Sequence, residues 1–479
     1  MGTRQPGVDI PPFPDLMGSI VFVAGLLVTW GTAGGNSGTD VLAHMAWGVG
    51  FSLAACFIID MQHGLRNMVR SDVIALMAIY GLCFAEFLFP QDKYNIDNTH
   101  QWSKVAAEAV MLGMAVFALC RHLGQRQSYT QSPLFIDPVA PGLIVRLFWM
   151  AFCVGYFHQW LAVKFNPVLW IDHMMGIRWS QPWTRTHFGD WKALLFELGL
   201  FMYVVSPLAA IIIVRKEIYG KTVVTLVTIA TLLNFFHAFA GGTRHVFCVH
   251  VIMFTIAFCY FKKLTPKMIG IYLCTALAIM FVTCNTMLAF RQIGLKRYIE
   301  MVGSGAVFAQ VEESLYVDYT FQSLNWLMEA VPSRYDFLGW EVPYNALIRP
   351  IPRAVWKEKP IGLSTTLEEI LYRPGAAGTW SVTYVGESYL AFGYLGIVVT
   401  AALFGYFANF WNSLGSPKNS DLGILIFASG FFSFSIAMRS LFTFSTAILP
   451  TLFLLFFSAY LVRNRASLLP QRGPSKQTY

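Results

Sequence analysis

The sequence predicts an all-α protein that threads a membrane about twelve times, as one integrated domain. Three observations lead there. Hydrophobic residues make up 56% of the 479-residue chain and mean hydropathy is +0.54, while charged residues reach only 13%, about half the share of a soluble domain. Apolar runs of about 20 residues recur, each able to cross as a helix with its backbone hydrogen bonds satisfied internally. A single long polar stretch, 291–386, interrupts them late in the chain.

The runs fall near 16–31, 41–60, 71–90, 105–120, 142–162, 194–214, 222–241, 246–261, 268–290, 388–411, 422–438 and 444–462. Residues 1–290 thus hold nine spans, 291–386 an external loop with amphipathic helices, 387–463 three further spans and 464–479 a basic tail. Little polar sequence separates the last two spans.

Short loops at 61–70, 121–141, 215–221, 262–267 and 412–420, with both termini and Arg146, carry 17 of the 34 Lys and Arg. Short loops on the other face carry eight and the long loop nine. Such an excess marks the cytoplasmic side, so both termini are expected there and the 291–386 loop outside. The same asymmetry accounts for the net charge of +8, and no nucleic-acid partner is expected. The N-terminal MGTRQPGVDIPPFPDL lacks the apolar core of a cleavable signal peptide. All eight cysteines lie in apolar spans without a C-x-x-C pair, which reads as small buried hydrophobes and no disulfide or metal framework.

The 31–40 connection is rich in glycine and reads as a flexible outer turn. The loop at 163–193 holds Trp170, Trp179, Trp183 and Trp191 with His173 and His187; tryptophans in such places anchor helices at headgroup depth. Ala240-Gly241-Gly242-Thr243-Arg244-His245 reads as a tight outer hairpin delivering Arg244 to the mouth. Residues 300–330 read as amphipathic helices on the outer face with Glu312, Glu313 and Asp318, and the proline-rich 331–385 as an ordered irregular loop.

Ionisable groups inside spans are costly and mark function. Glu86, Glu108, Glu197, His237, Arg244, His245, Arg291 and Arg439 all fall at outer ends under this topology, with Asp60 and Arg146 as exceptions. Arg244, Arg291, Arg353 and Arg439 are expected to converge on an anion. The guanidinium fork binds phosphate through two hydrogen bonds, and a unit pair at 4 Å contributes about 4 kcal/mol at an effective dielectric near 20. Mutual pairing and headgroup contact are the competing roles for any one of these residues.

Three local patterns resemble bacterial O-antigen polymerases of the Wzy type: Gly242-Thr243-Arg244, the stretch from Pro352-Arg353 to Lys359-Pro360, and Gly386-Glu387-Ser388-Tyr389-Leu390-Ala391-Phe392-Gly393-Tyr394-Leu395-Gly396. The resemblance implies the multi-helix membrane glycosyltransferase fold (GT-C-like) shared with O-antigen ligases, in the bacterial inner membrane, with an extracytoplasmic active site. It implies polymerisation of undecaprenyl-diphosphate-linked oligosaccharides for lipopolysaccharide or exopolysaccharide, without a cofactor or nucleotide sugar. Membrane lipids and a chain-length regulator would be the further partners.

In that scheme Arg244 and Arg291 hold the diphosphate, Arg353 and Lys359 close over it, and Arg439 adds a further cation. Glu387 is the first candidate for general base and His245 the second, with an ion pair to Arg353 or Arg291 as the alternative role for Glu387. Tyr389 would orient a sugar or the carboxylate and Trp356 would stack on a sugar ring or anchor at the interface. No D-x-D, H-E-x-x-H or Walker-A motif is present to hold a metal or nucleotide. An O-antigen ligase differs only in acceptor. A flippase or transporter predicts midplane charges and repeated, broken helices, and a structural scaffold gives the arginines no task.

Overall fold

In the computed structural model the chain is all-α, with no strand among the described residues. Those are 12–34, 38–89, 102–123, 136, 138–183, 195, 197–262, 264–303, 320–353, 355–360, 363–371, 381–416 and 419–463. The chain opens with α1 (Leu16–Thr32), α2 (Gly38–Met61), α3 (Ser71–Cys83), α4 (Ser103–Cys120) and α5 (Pro141–Ala162). A short α6 (Pro167–Met174) precedes α7 (Met202–Val214), α8 (Lys221–Ala240), α9 (Arg244–Phe261) and α10 (Pro266–Phe290). The polar stretch contributes α11 (Leu295–Gly303), α12 (Thr320–Ala330), α13 (Glu341–Ile348) and α14 (Leu363–Ile370). The chain closes with α15 (Thr383–Asn412), α16 (Asp421–Arg439), α17 (Leu441–Ala447) and α18 (Leu449–Arg463).

Among the described residues eight helices are long and apolar enough to cross a membrane: α2, α4, α5, α8, α9, α10, α15 and α16. The four remaining apolar runs are helical but shorter, at Leu16–Thr32, Ser71–Cys83, Leu198–Val214 and Leu441–Phe457. Local chemistry sets where several begin. The Asp15 carboxylate accepts the Met17 N–H at 2.7 Å before α1, Ser420 Oγ accepts the Gly423 N–H at 3.1 Å before α16, and prolines start α5, α6 and α10. Each arrangement satisfies or removes a backbone donor that a helix start leaves orphaned.

Buried charge fixes one end of the bundle. Asp60 near the end of α2, Arg70 and Asp72 at the start of α3 and Arg121 after α4 are fully buried. Arg70 donates from Nε and Nη2 to the two Asp72 oxygens, each at 2.9 Å, and from Nη2 to Asp60. Arg121 donates to Asp72 Oδ2 at 2.9 Å, Ser19 Oγ at 2.9 Å and Cys56 Sγ at 3.1 Å. Asn412, at the end of α15, donates to Asp72 Oδ1 at 2.7 Å. Two arginines and two aspartates balance in charge, and their hydrogen bonds offset the desolvation of four ions. The segment before α1 is tied in as well: the Phe13 carbonyl accepts from Arg70 and Asn67, and the Asp15 N–H donates to Asp60. Sequence reading treats Arg70 and Arg121 as ordinary loop cations. The structure corrects that: the most deeply buried ions lie at the end opposite the expected site.

The polar stretch differs from a simple roof. α11 is a largely exposed amphipathic helix, but α12 is buried against α3, α4 and α15, with Asn325 donating to Ser103 Oγ at 2.9 Å. Its polar residues are small enough to pack inside, which hides it from a pattern search for surface helices. Glu312, Glu313 and Asp318 lie outside the described residues. The 331–385 region, expected to be irregular, contains α13 and α14.

α15 is broken at Phe392 and Gly393, where Gly393 takes φ +61°, a conformation that costs a side chain strain. The chain folds back beside itself there. Tyr384, Val385 and Ile397 all stand beside Gly113 of α4, and a Cβ on Gly396 would collide with the Ser388 carbonyl.

Candidate functional site

The end opposite the buried ion network gathers arginines from separate parts of the chain. Arg244 starts α9, Arg291 follows α10 and Arg439 ends α16. The α8–α9 hairpin turns through Gly242 at φ +62°, packed on the Arg291 backbone. Below it Ala238, Ala240, Phe247, Met287, Phe290 and Leu295 form one apolar cluster that holds the end of α8, the starts of α9 and α11 and the end of α10 together.

A fourth guanidinium, Arg178, joins from the loop after α6. The Lys296 N–H donates to the Met175 carbonyl at 2.9 Å, Lys296 Nζ pairs with Asp172 Oδ1 at 2.6 Å, and Gly294 is pressed against Gly176 and Ile177. These contacts dock the loop on the corner beyond Arg291. The hydrogen bond from Lys296 holds the Asp172 carboxyl below its usual range. Burial first, then the charges of Arg291 and Arg439, pull the Arg178 guanidinium down to about 10. His245 lies within electrostatic reach of Arg439, Arg178, Arg244 and Arg291. The Nε of Arg291 is buried and makes no hydrogen bond among the described residues. Tyr203, within reach of Arg178, is stacked between Phe432 and His250 at centroid distances of 3.9 and 5.1 Å.

Of the residues singled out in the sequence, the structure therefore brings together Arg244, His245, Arg291 and Arg439. Arg178 went unnoticed because a lone arginine in a tryptophan-rich loop has no spacing signal; only the contacts to 294–296 show its place. Arg353 and Lys359 are engaged within their own loop. Arg353 donates to the Pro360 carbonyl at 2.7 Å, and Lys359 donates to the carbonyls of Arg349 and Ile351 at 3.0 and 2.9 Å. Trp356 is half-buried in the same loop. The Tyr389 hydroxyl donates to the Val331 carbonyl at 3.3 Å, and its ring packs edge-on against Phe337 and Tyr394.

Glu387 is 2% exposed, and both its oxygens are engaged. Ser440 Oγ donates to Oε1 at 2.7 Å and the Leu441 N–H to Oε2 at 2.6 Å, so the carboxylate caps the start of α17. Arg349 is the cation within its electrostatic reach. The Ser381 hydroxyl donates to the Arg439 carbonyl at 2.6 Å, pinning the same corner from the other side. Glu387 thus fixes the bend that carries Arg439. Glu387→Ala should lower stability by about 1–2 kcal/mol, as loss of a helix cap does, read as a thermal midpoint in detergent. Glu387→Gln keeps an acceptor and should stay near wild type in stability and turnover; a folded Gln variant without turnover would return the carboxylate to the role of base.

A polar chain runs inward beside the cluster. Trp170 donates to Gln159 Oε1 at 2.9 Å, Gln159 Nε2 meets His237 Nε2 at 2.8 Å, and the Tyr156 hydroxyl donates to Asn234 at 2.8 Å. Trp170 and Trp183 are buried around Tyr156 and so pack within the bundle, where headgroup anchoring was expected; the Trp179 side chain, Trp191 and His187 lie outside the described residues. Among the described residues no group of three or more His, Cys, Asp or Glu could hold a metal ion. Four guanidiniums around one imidazole can bind a multiply charged phosphate and stabilise negative charge that develops on it. The chain matches no family model, no curated protein and no solved structure.

Proposed function

We propose that the protein polymerises lipid-linked oligosaccharide repeat units, transferring a glycan from undecaprenyl diphosphate to an acceptor sugar hydroxyl. The observation that carries this reading is the convergence of Arg178, Arg244, Arg291 and Arg439 around His245 at one mouth of the bundle. Like charges so gathered favour a dianionic partner, and arginine binds phosphate oxygens through paired N–H groups. The buried unpaired Nε of Arg291 supplies a donor in want of an acceptor.

In this reaction the acceptor oxygen forms a bond to the anomeric carbon as the bond from that carbon to the phosphate oxygen breaks. The electron pair leaves with the polyprenyl diphosphate, where the arginines neutralise it. Glu387 is occupied as a cap, so the hydroxyl proton passes to His245, whose protonation the surrounding guanidiniums oppose until the bound diphosphate offsets their charge.

The four shorter apolar helices complete twelve spans in this reading. Arg66, Arg215, Lys216, Lys221, Lys262 and Lys267 all fall at the end opposite the arginine mouth, a bias that supports a cytoplasmic position for that end; in this reading the mouth faces outward from a bacterial inner membrane. Purified protein in proteoliposomes, supplied with a polyprenyl-diphosphate-linked repeat unit, should lengthen the glycan and release polyprenyl diphosphate. Transfer to a lipid A core acceptor instead would assign a ligase, and intact donor carried across the bilayer would assign a flippase.

A further inference from the structure

α13 has its polarity reversed for a helix bathed in water. Its inward side carries Val342, Asn345 and Ile348, all buried. The side turned away from the protein carries Tyr344 and Leu347, and the pattern continues through Trp340 before the helix and Ile351 and Val355 after it. Trp340, Leu347 and Val355 are 78%, 76% and 71% exposed. A contiguous apolar face of this kind on a soluble surface marks an interaction site.

The position of the face identifies what covers it. The Leu338 and Gly339 N–H groups donate to the Leu390 and Ala391 carbonyls, each at 2.9 Å, and the Trp340 ring meets Phe392 edge-on at 5.2 Å. The start of α13 is therefore fixed at the break in α15. From that break α15 presents an exposed apolar stripe through Tyr394, Leu395, Val399, Leu403, Phe407 and Phe410. Sixteen residues of helix rise about 24 Å, most of a hydrocarbon core of about 30 Å. The break thus lies at the edge of the hydrocarbon, and the outward face of α13 continues the membrane-facing surface of α15. Tryptophan and tyrosine are favoured at that depth. Arg349 and Lys357 are exposed among the apolar residues, with Glu341 and Glu358 exposed at the two ends; the cations suit lipid phosphates and the carboxylates the water side of the headgroups.

We infer that residues 340–353 and 355–357 lie in the membrane interface, their apolar face bedded in the acyl chains of the leaflet at the arginine mouth and Arg349 and Lys357 on lipid phosphates. The interface there is part of the site's surroundings: Arg349, within reach of Glu387, ends α13.

The test uses the full chain in phosphatidylcholine–phosphatidylglycerol vesicles. Subtracting the emission of Trp340→Phe from that of wild type isolates Trp340 among the 14 tryptophans. The difference spectrum should be blue-shifted, abolished by lipids with a nitroxide near the headgroup and unchanged by aqueous iodide. Quenching by iodide alone would show a water-facing loop, and protection from both quenchers would show a protein partner or a second copy; either overturns the inference. Leu347→benzoylphenylalanine gives an independent reading. Photolysis should attach phospholipid to it, and adducts to protein alone, or none, would overturn the inference equally.

Discussion

Arg291→Ala should abolish long-chain polymer while the protein stays folded in the membrane. Removing one preorganised donor from a developing anion typically costs about 10²–10³ in turnover, enough to leave only unpolymerised units on a gel. The effect should be largest here because two other elements meet at Arg291, the α8–α9 hairpin packing on its backbone and the Arg178 loop docking on the residues after it, and because its Nε is buried with no hydrogen bond among the described residues. Arg291→Lys keeps the charge but not the fork, so recovery should be partial. Arg178→Ala should share the phenotype, since that guanidinium feels Arg291 and Arg439. Normal chain lengths in both alanine variants, with unchanged melting, would sink the diphosphate clamp.

Asp72→Ala should destabilise the bundle by about 3–5 kcal/mol, the range for removing one partner of a buried ion pair. The substitution leaves Arg70 and Arg121 with only Asp60 between them and takes the acceptor from Asn412. Thermal unfolding in detergent checks this, and a wild-type midpoint would mean that water enters the site and that the network contributes little. Polymer length in whatever Asp72→Ala protein remains folded should be normal, because the aspartate lies at the other end from the arginines. The two substitutions therefore separate chemistry from stability.

How much of this was legible in advance depends on the range of the interaction. The described parts of the twelve apolar runs are largely helical and eight are long enough to cross a membrane, because a backbone in lipid must satisfy itself locally. Convergence of Arg244, Arg291 and Arg439 followed from counting which helix ends share a face. Arg178 did not, since its position depends on Lys296 and Asp172, 124 residues apart. Glu387 stands out in the sequence as a candidate general base but not as a cap, for its donors Ser440 and Leu441 lie 53 and 54 residues away. Arg353 and Lys359 looked like substrate cations because proline-flanked charges stand out in a sequence, yet local carbonyls engage both. Arg70 and Arg121 were counted with loop cations because burial at a helix end depends on neighbours, not on spacing.

The paired ions also bear on how the protein is made. All four come from residues 60 to 121, and among the described residues Asn412 reaches them from the distant end of the chain. As the polypeptide leaves the ribosome, the first helices can therefore neutralise one another before the rest has been synthesised. Later segments then assemble against a finished surface, with Asn412 as the last latch to close.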